Sequence, residues 1–221
     1  MSRSSPSTTW SFSELLSAYA DFLIVTIHTI LYEREIYPKE SFMLARKYSY
    51  PVRQCRHPEV CEWIRNAISA CIEQLRSGGV AKISVVILSA LSVPLERVVF
   101  DVISFPRISS QDHDSEEKIN LVLSDVEEQF RACVVKLTYV SSTLEKLPEG
   151  CTYTVAIELV DDADAPNSTD SLWEPAASQS LELVNRNVLQ DEPTVPAVRP
   201  LRNIQMGPVT FDIWIEQASG N

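Results

Sequence analysis

The sequence predicts an α+β layer fold, with three main helices packed on a mostly antiparallel sheet. Three observations predict it. Apolar residues recur at spacings of three and four in three long segments. β-Branched runs bounded by turn residues lie between and after those segments. The order is helix, helix, strand pair, helix, strand, then peripheral strands, which is the mixture that puts helices on one face of an antiparallel sheet. No repeat of solenoid length interrupts it.

The first helix is predicted from a cap at Ser13 to about Ile36. Leu15, Leu16, Tyr19, Phe22, Leu23, Ile27, Ile30 and Leu31 form its stripe, and Pro38 stops it. Past Asp21 it is apolar over most of its girth, so it should be central and buried. From Lys39 to Arg56 runs a connector with Lys39, Arg46, Lys47, Arg53 and Arg56 against Glu40, interleaved with Phe42, Tyr48 and Tyr50. That mixture is either a nucleic-acid patch or a solvated loop with inward aromatics, and the acidity of the whole chain favours the loop.

A second helix starts at Pro58, a residue suited to the first helical position, and closes at Gly78 and Gly79. Its stripe is Val60, Ile64, Ile68, Cys71, Ile72 and Leu75. Trp63 sits beside that stripe, as the edge of the core or the wall of a groove. Ala81–Ser89 and Leu95–Ser104 read as a strand pair around Pro94. A third helix is expected from about Ser115, capped by Asp114 with Glu117, with a stripe of Ile119, Leu123, Val126, Phe130, Val134 and Leu137. Arg131 falls off that stripe and should face solvent or a partner. Cys151–Val160, Ser180–Asn185 and Val209–Glu216 are further strand candidates, the last with Val209, Phe211, Ile213 and Ile215 on one face.

The chain has 221 residues and a net charge of −11. An acidic chain lacks the electrostatic footprint for gripping phosphate backbones, so direct nucleic-acid binding is disfavoured. The longest near-apolar run, Phe22–Leu31, is ten residues and holds a His and two Thr, too short for a bilayer, and no membrane partner is expected. The first residues lack an apolar signal core, so secretion is not expected. The five cysteines, Cys55, Cys61, Cys71, Cys133 and Cys151, are odd in number and widely spaced, as reduced thiols of the cytosol or nucleus are. Between Glu158 and Glu192 stand nine acids and one base, and six of the 13 prolines lie between Pro166 and Pro208. The C-terminal third therefore reads as a loosely held extension rather than a second core.

No chemistry is signalled. Serine-hydrolase, P-loop, dinucleotide-binding, zincin and kinase motifs are all missing from the sequence. Cys55, His57 and Cys61 lie close together, but a zinc site usually needs four ligands in two tight pairs. His28 reads as a hydrogen-bonded core histidine, His57 as a helix-start residue, and the Glu33–Glu35 pair as solvated charges at a helix end. No catalytic residue, metal or cofactor is expected, and the chain reads as a non-enzyme.

At the first helix the residues meet a family. ADFLIVTIHTILYEREIYP (Ala20–Pro38) resembles the opening helix of HORMA-domain proteins, and in particular that of the accessory subunit of translesion DNA polymerase zeta. The likeness continues through KYSYPV, CRHPEV, KISVVIL, PLERVVFDV, FRACVVKL and PEGCTYTV, resumes at VRPLRNI and ends in VTFDIWIE. It implies a single HORMA domain over 13–216, with a flexible 1–12, a core over 13–160 and a mobile C-terminal safety belt over 161–221. In such domains the belt wraps a partner peptide that adds to the sheet as a strand.

The resemblance also implies residue roles. Trp63 and Trp173 match peptide-binding aromatics. Val198, Asp212 and Trp214 match belt positions that contact the C-terminal domain of the scaffold translesion polymerase. Glu35 and Arg131 match positions of HORMA homo- or heterodimerisation. The expected function is a non-catalytic adaptor, in the nucleus and also the cytoplasm. It would clamp a proline-spaced peptide of the polymerase-zeta catalytic subunit and bridge it to the scaffold polymerase, in DNA damage tolerance. The alternative is a HORMA adaptor of spindle-checkpoint, meiotic or DNA-end-protection assemblies.

Overall fold

A computed structural model describes residues 8–106, 118–160 and 196–218. Strand β1 is Thr8–Trp10 and helix α1 is Phe12–Glu33. The helix is capped by Ser11, not Ser13: Ser11 Oγ accepts from the Glu14 N–H while the Glu14 carboxylate accepts from the Ser11 N–H, a reciprocal box. It closes by two backbone bonds, Ile36 N–H to Leu31 O and Glu35 N–H to Tyr32 O. Closure of this kind puts one residue in the left-handed region, and Glu35 takes it at φ 53. The segment to residue 12, expected to be flexible, thus contains a strand, a cap and a helix start.

The basic connector is a hairpin rather than a loop. Strand β2 (Phe42–Lys47) pairs antiparallel with β3 (Tyr50–Cys55) through six unbroken pairs. Its two-residue turn, Tyr48–Ser49, has φ 52 and 55. Such turns favour Asn-Gly because left-handed backbone costs other residues roughly 1–2 kcal/mol each. The Tyr48 ring offsets that strain by packing edge-on against Phe130, with centroids 5.5 Å apart.

Helix α2 (Pro58–Arg76) leads into β4 (Val80–Leu88) and β5 (Pro94–Asp101). Strand β6 (Ile119–Leu121) precedes helix α3 (Leu123–Ser141). This corrects the expected helix start at Ser115. Ile119 and Leu121 are buried with Asn120 exposed between them, a two-residue period, because they pair with β1. Asp114 and Glu117 lie outside the described residues, as does the strand candidate Ser180–Asn185.

Strands β7 (Thr152–Leu159), β8 (Ala197–Met206) and β9 (Val209–Gln217) complete a five-stranded sheet in the order β7-β4-β5-β9-β8, antiparallel throughout. Strand β8 was not expected. Pro200 sits at a register shift where the ladder is already broken, and β8 is an edge strand, so its missing N–H is tolerated. The β8–β9 turn uses Gly207 at φ 55, where a Cβ would come within 3.3 Å of Asn120 O. The β8–β9 part of the C-terminal third is therefore core rather than a loose extension: Val209, Phe211, Ile213 and Ile215 are buried.

The helices cover one face of this sheet. Tyr19 and Phe22 of α1 meet Phe100, Phe105, Phe130 and Phe211, and Phe22 stacks on Phe130 at 4.4 Å. Each such side chain contributes about 1.5–3 kcal/mol by leaving water. With 22 residues, α1 is long and apolar enough to cross a membrane by length and composition. Here its stripe is instead the centre of the core, fully buried from Leu15 to Leu31.

Candidate functional site

Strand β7 is an edge. Tyr153, Val155 and Ile157 pack toward the helices, opposite Ile87, Val85 and Ile83 of β4. On its other side no strand lies beside it among the described residues. Among the described residues, its backbone N–H and C=O groups on that side have no strand partner, the arrangement to which a strand can add.

Three aromatics border the start of this edge. Trp63 projects from α2 and meets Tyr153 edge-on, with centroids 5.1 Å apart at 81°. Tyr37, just beyond α1, also meets Tyr153 edge-on, at 6.3 Å and 84°. Trp63 is 42 % exposed, so it forms a wall rather than core. Burial raises the Tyr153 and Tyr37 hydroxyls above the ordinary tyrosine range, so both stay neutral donors. Sequence reasoning found Trp63 but missed Tyr37 and Tyr153. Both lie in motifs quoted above, ILYEREIYP and PEGCTYTV, yet only the fold brings them together.

Behind this cluster the histidine and thiols are engaged with the backbone. Burial, and then the charge of Arg65, pull His28 down to about 4, so it is neutral at pH 7. The Cys55 N–H donates to His28 Nδ1 at 3.4 Å, and Cys61 Sγ donates to Cys55 O at 3.1 Å. His57 lies off this line, with Nε2 3.4 Å from Ser41 Oγ. Trp173, the second expected peptide residue, lies outside the described residues.

The second expected set is brought together. Trp214 stands opposite Pro200, Asp212 opposite Asn203, and Glu216 opposite Val198, all on the sheet face away from the helices. Trp214 Nε1 donates to Glu216 at 2.7 Å, and Asn203 Nδ2 donates to Asp212 at 2.8 Å. Val198 is 54 % exposed at the margin of this face. Charge ties it to the β7 edge. Arg97 of β5 reaches Glu216 at 2.8 Å and Glu158 of β7 at 3.0 Å, and Lys82 of β4 also meets Glu158 at 2.7 Å.

The third set is not brought into one contact. Arg131 faces outward from α3 and is held by Glu128, through Nε at 2.9 Å. It lines a shallow hollow with Val135, Lys136, Tyr139 and Arg202. Glu35 lies past the end of α1, where it pairs with Lys39 at 2.9 Å. The neighbouring Arg34 donates to Ser141 O at the end of α3 and to Glu145 O just beyond it.

Comparison with known proteins fits this geometry. The family model described as "HORMA domain" matches residues 16–192. The chain is 30% identical over 211 residues to the DNA polymerase zeta processivity subunit of Schizosaccharomyces pombe, covering 95% of this chain and 96% of that one. It is 36% identical over 137 residues to the mitotic spindle assembly checkpoint protein MAD2B of Homo sapiens, 62% of each chain. A chain in the crystal structure of the mitotic checkpoint complex shares the fold, with a TM-score of 0.70 at 22% identity, covering 93% of this chain and 99% of that chain. The chain belongs to the HORMA-domain family.

Proposed function

We propose that this chain is the accessory HORMA subunit of a translesion DNA polymerase zeta. It receives an extended, proline-spaced peptide of the catalytic subunit along the open edge of β7. Trp63, Tyr37 and Tyr153 form the wall against which proline rings and apolar side chains pack. The backbone of Thr152–Leu159 supplies the hydrogen bonds. The single observation that carries this reading is the β7 edge, unpaired among the described residues and bordered by a half-exposed Trp63 set edge-on to Tyr153. Trp173 belongs to the same reading as a cover for the peptide.

The face carrying Val198, Asp212 and Trp214 is the second docking surface, for the C-terminal domain of the scaffold translesion polymerase. Arg131, from the middle of α3, and Glu35, just past the end of α1, would act in HORMA homo- or heterodimers. DNA is then handled by the partners, in keeping with the net charge of −11, and the place of work is the nucleus. The name of the fission-yeast relative and its coverage of nearly the whole chain support the polymerase assignment.

Calorimetric titration with a proline-spaced peptide from the same organism's catalytic subunit tests it. We expect 1:1 binding, weakened at least tenfold in Trp63→Ala with an unchanged circular-dichroism melt. Binding untouched by that substitution would remove the groove from the reading. A second reading, an adaptor of checkpoint assemblies, is favoured by the 36% identity to a protein named for the spindle checkpoint. Recovery of checkpoint proteins without polymerase on the tagged chain would put it first.

A further inference from the structure

The β2–β3 hairpin is a fixed ledge with one bare side. The hairpin is pinned to α1 by the Cys55 N–H of β3, which bonds His28, and by Phe42 of β2, which meets Tyr32 at 5.4 Å; its open end is closed by the Arg56 N–H, which bonds Ser41 O at 2.8 Å. The turn is held at the other end by Tyr48 on Phe130. Strand β2 is the outer strand, and nothing among the described residues pairs with its far edge.

Two consecutive apolar residues on that strand face water, Met43 at 44 % exposure and Leu44 at 61 %. Successive residues of a strand point to opposite faces. A helix or flat surface laid on one face would cover only one of them, whereas a strand added along the edge flanks both. Exposed edges are normally blunted by a proline, a bulge or charges along the strand. Strand β2 has no proline, its register is unbroken, and its cations stand only near the turn, at Arg46 and Lys47.

Charge selects the occupant. The stretch Phe42–Arg56 holds four cations, Arg46, Lys47, Arg53 and Arg56, and no acid, in a chain of net −11. Lys47 is paired with Asp21, and Arg53 lies 4.8 Å over the Tyr32 ring. Glu33 faces the charge of Arg53, Glu127 lies near Tyr48, and Glu128 is held by Arg131 beside Tyr50. Among the described residues Arg46 and Arg56 carry no ion pair. We infer that the outer edge of β2 is a docking strand for an extended segment of a partner protein in which acidic and apolar residues alternate. The segment's apolar side chains lie on the Met43 face, and its carboxylates lie on the Leu44 face, where they meet Arg46 and Arg53, which stands opposite Leu44. This edge is separate from β7, and the inference does not depend on the polymerase assignment.

The test is a titration of the isotope-labelled full chain, followed by amide resonances. The probe is a capped ten-residue peptide alternating glutamate and valine, with a lysine–valine counterpart as control. We expect shifts centred on Met43–Lys47, at least tenfold weaker binding of the lysine peptide, and clear weakening in 0.5 M salt (Debye length roughly 4 Å, against about 10 Å at 0.1 M). The double variant Leu44→Asp, Arg46→Glu should lose binding. Both side chains are exposed, so its circular-dichroism melt should be unchanged. Shifts at Thr152–Leu159 instead, equal binding of both peptides, or no shifts at the hairpin would each overturn the inference. So would concentration-dependent shifts at Met43 and Leu44 without peptide, which would make a second copy the occupant.

Discussion

The two faces of the five-stranded sheet are built from the same strands and solved by different physics. On the helix side Val85, Val98, Phe100, Ile213 and Ile215 pack against Phe22, Tyr19 and Phe130 with almost no exposure. On the other side, the residues one step along each strand form a charged lattice. Glu158, Lys82, Arg97 and Glu216 link β7, β4, β5 and β9. Beneath it Val86 and Val99 are fully buried. One face depends on shape and the other on charge, so they should fail under different treatments. The candidate partner surface at Trp214 belongs to the second, while the wall at Trp63 borders the first.

The largest expected effect is on the packed face. Phe22→Ala removes a buried ring stacked on Phe130 and should cost about 3–5 kcal/mol, read from denaturant midpoints at constant slope. Next comes a buried charged pair on that side. Arg34 and Glu96 lie 3.1 Å apart, with Glu96 only 1 % exposed, and Gln217 of β9 also donates to Glu96. Arg34→Ala leaves a buried carboxylate alone and should cost about 3 kcal/mol, whereas Arg34→Met with Glu96→Leu should recover most of it. A double variant as unstable as the single would mean that the pair also fixes geometry.

His28 offers a comparable test by pH. Its pKa falls from an ordinary 6.5 to about 4 on folding, so the folded state disfavours the protonated ring. The stability is fully present above pH 6.5, is lost as pH falls toward 4, and changes little below that. The loss is about 3 kcal/mol across that window. Melts of His28→Gln should be flatter there than those of the parent. The smallest effect is on the charged face. Arg97 is only 16 % exposed, yet its partners are reached by water, so Arg97→Ala should cost about 1 kcal/mol. Added salt should narrow that difference, while Phe22→Ala should be insensitive to it.

Much of this was legible in the sequence, and the failures have physical reasons. The stripes of α1 and α2 and the strands β4, β5, β7 and β9 follow from periodicity. The β2–β3 hairpin was missed because its turn is Tyr48–Ser49, residues that carry no turn signal and adopt the left-handed region only because Phe130 receives the tyrosine ring. Strand β6 was misread because Ile119, Leu123 and Val126 also fit a helical spacing. Only pairing with Thr8–Trp10 decides for a strand. Strand β8 was hidden by Pro200. At the site, Trp63 was legible as an aromatic beside its stripe. Its partner Tyr153 is 90 positions away, and no local pattern joins them.

The position of β9 has a consequence for biosynthesis. Strand β5 ends at Asp101, yet the strand that covers its edge begins at Val209. At roughly 5–20 residues per second, translation leaves that edge bare for about 5–20 s. In that interval the nascent sheet is β7-β4-β5, and its unguarded margin is the apolar run Val98–Val99–Phe100. Arrival of the last hairpin replaces that margin with β8, whose outer residues include Arg199 and Pro200, both poor templates for a stray strand. The final hairpin thus protects the finished chain against self-association, and a chain truncated before residue 209 would keep the β5 margin without its β9 partner.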